Sequence, residues 1–258
     1  MVGAGGIVGQ GVALLAAGLL AAWVLLVGAD DRSPAALGFY LAPSAVGDSV
    51  GGFVLGGGVA LAVVGVMAVT GAVTWFSDQG TVEGLFVTGA RTLAVLALPA
   101  AAEETLFRGY PLQALAGAWG PGRALVVTSV AFGLLHLGNP GLSPLALVNL
   151  VVAGAFLGVV YLKTGSLWWS TGAHLGWNWA HGYLADLPVS GLDLVNTPLW
   201  TGVTRGPSWL GGGAFGPEGS LATTVVVSLV TLLLWRAPWP RPSPAARAAR
   251  PLTPLPEG

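Results

Sequence analysis

The stretch Leu85 to Arg108, LFVTGARTLAVLALPAAAEETLFR, is apolar up to Ala102 except for Arg91 and two threonines. It then closes on Glu103, Glu104 and Arg108. A helix needs about 20 mostly apolar residues to cross a bilayer, and this run comes close to that length before its charges begin. Working outward, comparable runs recur at Gly6–Gly28, Gly51–Phe76, Ala124–Leu137, Pro144–Leu162, Leu167–Leu184 and Leu221–Trp235. The composition agrees: 54% of the 258 residues are hydrophobic, 8% are charged, and mean hydropathy is +0.76. Soluble domains carry about 25% charged residues, so there is too little polar surface to wet a globule, and a soluble enzyme is excluded. The fold class expected is all-α, a polytopic bundle of about seven transmembrane helices. The 41 glycines sit inside the apolar runs, where small residues let spanning helices approach closely.

A net charge of −1 and a pI near 6.3 argue against a nucleic-acid partner, which calls for a basic face. With no cysteine the chain has no disulfide, thiolate nucleophile or thiolate metal site. The first run has no basic residues before it and no small-residue cleavage site after it, so it is expected to be a retained anchor. Arg236, Arg241, Arg247 and Arg250 follow the last run, and the positive-inside rule places that end in the cytoplasm. Counting back, the loops with Arg32, Arg123 and Lys163 fall inside, and the loop with Asp78 and Glu83 falls outside. Residues 1–84 then hold the N-terminal spans and 220–236 the last one. Residues 186–219, rich in Gly, Pro and Trp, are expected to be an irregular extracytoplasmic loop. Residues 237–258, with seven prolines, are expected to be a disordered cytoplasmic tail. The Ala, Gly, Pro and Arg bias suggests a bacterial inner membrane.

A charge at the bilayer centre costs at least about 2.5 kcal/mol, so Arg91, Glu103, Glu104, Arg108, His136, His174, Asn178 and His181 are functional candidates. Glu104 and Arg108 are one helical turn apart with the acid first, the favoured order for an ion pair. A charge swap is expected to preserve part of it, and Glu103 is left for chemistry. The bland alternative is a helix end with solvated charges. Phe132 and His136, and likewise His174 and Asn178, share a helix face at one-turn spacing. Core hydrogen bonding explains such residues equally well, and Trp168, Trp169, Trp177 and Trp179 read as an aromatic belt. Together, however, one Glu and two His on three helices can activate water. Glu103, His136 and His174 can hold a Zn²⁺ with an open position. Alternatively Glu is the general base, and His and Asn donate to a developing oxyanion. Either route is hydrolysis inside a membrane.

These residues carry a family resemblance. Glu-Glu-x-x-x-Arg at 103–108, Phe-x-x-x-His at 132–136 and His-x-x-x-Asn at 174–178 resemble, in order, the three motifs of the CAAX protease and bacteriocin-processing (CPBP) family, the type II CAAX prenyl endopeptidases. The resemblance implies an intramembrane protease core at 85–185 acting on membrane-bound peptides or protein tails. It implies that Glu103 and His136 activate water, that His174 and Asn178 hold the oxyanion, and that Glu104, Arg108 and Phe132 support them. His181 lies outside that pattern. The family is often labelled a metalloprotease and a metal-free route is also argued for it. The lean here is against an obligatory metal: Glu104, if held by Arg108, leaves the histidines without a carboxylate partner. Two rivals are a non-proteolytic peptide-binding or immunity protein, expected to lack the first Glu or the His136 equivalent, and a proton-coupled transporter, expected to show internal repeats.

Helix arithmetic leaves one tension. At about 1.5 Å per residue, Glu103 and His174 reach similar depths in the cytoplasmic half, while His136 falls about 20 Å from its helix's cytoplasmic start. The spacing predicts that this helix starts below the membrane plane or tilts strongly.

Overall fold

The computed structural model describes residues 4–251. In chain order it contains α1 (Ala4–Gly28), α2 (Ser44–Val69), β1 (Val73–Ser77), α3 (Val82–Phe107), α4 (Tyr110–Trp119), α5 (Pro121–Leu135), α6 (Pro144–Thr164) and α7 (Leu167–Trp179). A π-helical turn, Ala180–Leu184, extends α7. Then follow β2 (Trp200–Thr204), a single turn α8 (Ser208–Gly211), α9 (Leu221–Arg236) and α10 (Pro244–Ala249). Local chemistry sets these ends. The Ser143 side chain accepts from the Ala146 amide just before Pro144 starts α6. Gly165 closes α6 in the left-handed region at φ 61°, and the Ser166 hydroxyl then caps α7.

The protein is an all-α helical membrane protein. Among the described residues four helical runs are long and apolar enough to cross a membrane: Val8–Gly28, Ser44–Val69, Val82–Trp119 and Pro144–Thr164. Three of the seven expected spans are shorter: α5 and α9 have 15 and 16 residues, and α7 is complete only with its π-helical turn. Outward-facing Val54, Phe86, Val126 and Leu232 are exposed apolar side chains, as a lipid-facing surface requires.

Several expectations are corrected. The second run begins earlier, at Ser44, and its end is a strand: β1 pairs antiparallel with β2, Val73 opposite Thr204 and Ser77 opposite Trp200. Residues 186–219 are therefore not irregular throughout. Asp186 accepts from the amides of Thr197 and Gly202, and the segment turns back into the bundle at Glu218, which is buried. The tail is docked through residue 251 rather than disordered. Ser243 caps α10 and meets the Tyr40 hydroxyl at 3.0 Å, while Ala246 is fully buried. Residues 252–258 lie outside the described residues. Trp169 and Trp177 belong to the core and form no belt.

The packing that matters most for the site is α2 against α7. A Cβ on Gly56 would lie 1.8 Å from the carbonyl oxygen of Ala173, and one on Gly176 would lie 2.2 Å from that of Phe53. Both helices present glycines four residues apart, Gly52 and Gly56 facing Gly172 and Gly176, so the two backbones touch. This contact fixes the depth and rotation of α7.

Candidate active site

Glu103 and Glu104 lie one turn before the end of α3. Glu104 is fully buried, and its Oε1 accepts from Arg108 Nη1 at 2.9 Å. The same oxygen lies 2.9 Å from His174 Nδ1. Arg108 is equally buried: Nη2 donates to the Gly154 carbonyl at 2.9 Å, and its guanidinium lies 4.4 Å from the centre of the Phe132 ring. Phe132 in turn packs against both His136 and His174. The expectation that pairing with Arg108 would withhold Glu104 from the histidines is thus corrected. A carboxylate oxygen has two lone pairs, and here one takes the guanidinium and the other the imidazole.

His136 caps the C-terminus of α5. Its Nδ1 lies 2.9 Å from the Phe132 carbonyl. Only an N–H can face a carbonyl, so Nδ1 carries a proton and Nε2 points elsewhere. Nε2 of His136 and Nε2 of His174 each lie 3.9 Å from Glu103 Oε2. That oxygen is buried and has no hydrogen-bond partner. The structure therefore brings one carboxylate and two imidazoles together from α3, α5 and α7. They open onto a cleft of about 230 Å³ that Asn178 also lines.

The depth tension resolves through α4, which was not anticipated as a separate helix. From Glu103 the chain runs on through a break at Gly109 to the end of α4 at Trp119, and α5 returns from Pro121 to His136. At about 1.5 Å per residue, these outward and return paths are about 24 and 22 Å long. The turn at Gly120, at φ 82°, folds them into a hairpin that sets His136 level with Glu103.

The chemistry of Glu103, His136 and His174 suits Zn²⁺, and Glu104 and the Phe132 carbonyl supply the usual outer partners of ligating histidines. The spacing does not. Ligands about 2.1 Å from a tetrahedral zinc stand about 3.4 Å apart, against 3.9 Å here. Among the described residues no group of three His, Asp or Glu side chains is arranged to hold a metal ion. A water held by two polar atoms at about 2.8 Å each sets them about 4.5 Å apart, so the 3.9 Å separations lie between the zinc and the water spacings.

Of the other candidates, Arg91 is exposed on α3. His181 is fully buried against Trp177, and it does not line the cleft. Sequence reasoning missed four polar residues. Gln10, Asn139 and Ser190 line the cleft, and Glu218 stands behind the histidines. Gln10 carried a usable signal, being the one polar side chain in α1. Glu218, in a Gly-Pro-Glu-Gly stretch, carried none.

Fold and site together define a polytopic helical membrane protein with a carboxylate–histidine cleft sunk among its helices. Residues 86–180 match the family described as type II CAAX prenyl endopeptidase Rce1-like, which supports the resemblance to the CPBP group of CAAX-type intramembrane proteases. The match spans all three motifs and less than half of the chain. No curated protein and no solved structure matches the chain.

Proposed function

We propose that this protein cleaves peptide bonds of membrane-associated peptides or membrane-protein tails with a water activated by Glu103 and His136. The observation that carries this reading is the convergence of Glu103, His136 and His174 at 3.9 Å around an unpartnered carboxylate oxygen. A water between Glu103 Oε2 and His136 Nε2 donates one proton to each and turns a lone pair toward the cleft. It attacks the scissile carbonyl carbon while Glu103 takes the proton. The carbonyl oxygen becomes an oxyanion, to which Asn178 and a doubly protonated His174 donate hydrogen bonds. Glu104 accepts the Nδ1 proton of His174 throughout. Collapse of the intermediate breaks the C–N bond, and Glu103 delivers its proton to the departing amine. The products are a carboxylate and an amine.

The direct test compares purified wild type with Glu103→Gln and His136→Ala on membrane peptides, together with the membrane proteomes of cells carrying each. Loss of cleavage with normal insertion supports the reading. Near wild-type turnover in either variant removes it.

The basic residues after α9 support a cytoplasmic C-terminus with the 186–219 segment outside, and the Ala, Gly, Pro and Arg bias supports a bacterial inner membrane. A phosphatase fused after residue 258 is expected to be inactive and one inserted near Gly212 active. The reverse pattern inverts the topology.

A further inference from the structure

We propose that Glu218 is a positioning residue that holds the two histidines at their working separation from behind. For its kinetic consequence the inference rests on the protease reading. Glu218 arrives from the segment before α9, yet it is 6% exposed. Its carboxylate accepts three hydrogen bonds. Oε1 accepts from Trp177 Nε1 at 3.1 Å, and Oε2 accepts from the Ser190 amide at 2.6 Å and the Ser190 hydroxyl at 2.7 Å. Asn149 fixes the backbone on either side by donating to the carbonyls of Glu218 and Ser220.

Both tethers lead to a histidine. Trp177 is on α7, three residues after His174. The Ser190 carbonyl accepts from Asn139 Nδ2 at 2.9 Å, and the Asn139 amide donates to the carbonyl of His136. A bonded chain thus runs from His136 through Asn139, Ser190 and Glu218 to α7. It matters because His136 sits beyond the last turn of α5, on a segment that α5 alone leaves free to fray. A cavity of about 20 Å³, enough for one water, lies between Glu218, Ser190, Trp177 and the two histidines. Glu103 closes the pair from the cleft side, and Glu218 closes it from the opposite side.

Three donors require an acceptor-only group, which an ionised carboxylate is and a carboxamide is not. Glu218→Gln keeps the size and sets an NH₂ against one of those donors. Catalytic groups displaced by about 1 Å lose about 100-fold, so kcat is expected to fall about 10- to 100-fold, with KM within about twofold. Trp177→Phe removes the α7 tether together with part of the indole's core packing, and the lost hydrogen bond is expected to lower kcat by about fivefold. The chain has no cysteine, so spin labels on Leu137→Cys, next to His136 and exposed, and on Leu175→Cys, next to His174 and partly exposed on α7, report the separation of the two histidine segments without any substrate. Glu218→Gln is expected to broaden or shift that distance distribution.

An unchanged distribution overturns the proposal whether or not a peptidase activity is found. So does a kcat that holds per folded molecule while only Tm falls, the mark of a plain structural staple. A rise in KM at constant kcat also overturns it, by making Glu218 a substrate contact. If Glu218→Gln does not fold, Trp177→Phe decides by the same readouts.

Discussion

Replacing Glu104 and Arg108 singly, together and with their charges exchanged separates a simple ion pair from the arrangement found here. Arg108 is 1% exposed and Glu104 fully buried. Removing one partner of a buried pair strands the other charge and costs about 3–5 kcal/mol. Glu104→Gln and Arg108→Met are each expected to lose that much, a Tm fall of roughly 6–20 °C at about 2–4 °C per kcal/mol for a chain of this size. The double variant strands no charge, so its loss should fall short of the sum by about 1–3 kcal/mol of coupling. A bare ion pair is symmetric, which is why the sequence suggests rescue by charge exchange. The structure predicts none. Arg at 104 sets N–H groups against the Nδ1 proton of His174, and Glu at 108 sets carboxylate oxygens against the Gly154 carbonyl. The 11 tryptophans make intrinsic fluorescence in detergent a suitable assay, and a cysteine-free chain excludes thiol dyes. Additive single losses, or an exchanged pair that regains more than half of the lost Tm, would refute the reasoning.

Two further outcomes follow from the packing and from the donor set. Gly56→Ala drives a Cβ into the Ala173 carbonyl and must push α7 away, whereas Gly58→Ala meets nothing within 4 Å. The first is expected to cost about 1–3 kcal/mol and most of the activity, the second neither, and equal effects on fluorescence-detected Tm and turnover would contradict the close helix contact. On the proposed route Glu103 is the general base and no metal is used, so exhaustive chelation is expected to leave peptidase activity intact. Stoichiometric zinc by elemental analysis, with activity lost on its removal and restored by its return, would reverse that.

The residues themselves determined a good deal. So few charges across so many apolar runs leave only a helical membrane protein, because unpaired backbone cannot lie in lipid. Most of the polar groups inside those runs, Arg91 and His181 excepted, converge on the candidate site, since each is costly there without a partner or a task. Glu103, Glu104, Arg108, His136, His174 and Asn178 were all legible for that reason, and so was the one-turn pairing of Glu104 with Arg108. What lay beyond one-turn reach was not. That Glu104 Oε1 serves Arg108 and His174 together depends on where α7 stands, which the glycine contact with α2 decides. That His136 comes level with Glu103 depends on the α4–α5 hairpin about Gly120, a matching of two path lengths that hydropathy does not register. Glu218 reads as an ordinary loop acid until the chain folds it back among donors supplied by Trp177 and Ser190, and the tail reads as disordered until Ser243 meets Tyr40 and Asp48. Hydropathy and helical spacing act along the chain, whereas hydrogen bonds between distant segments exist only once the helices have set their depths and rotations against one another.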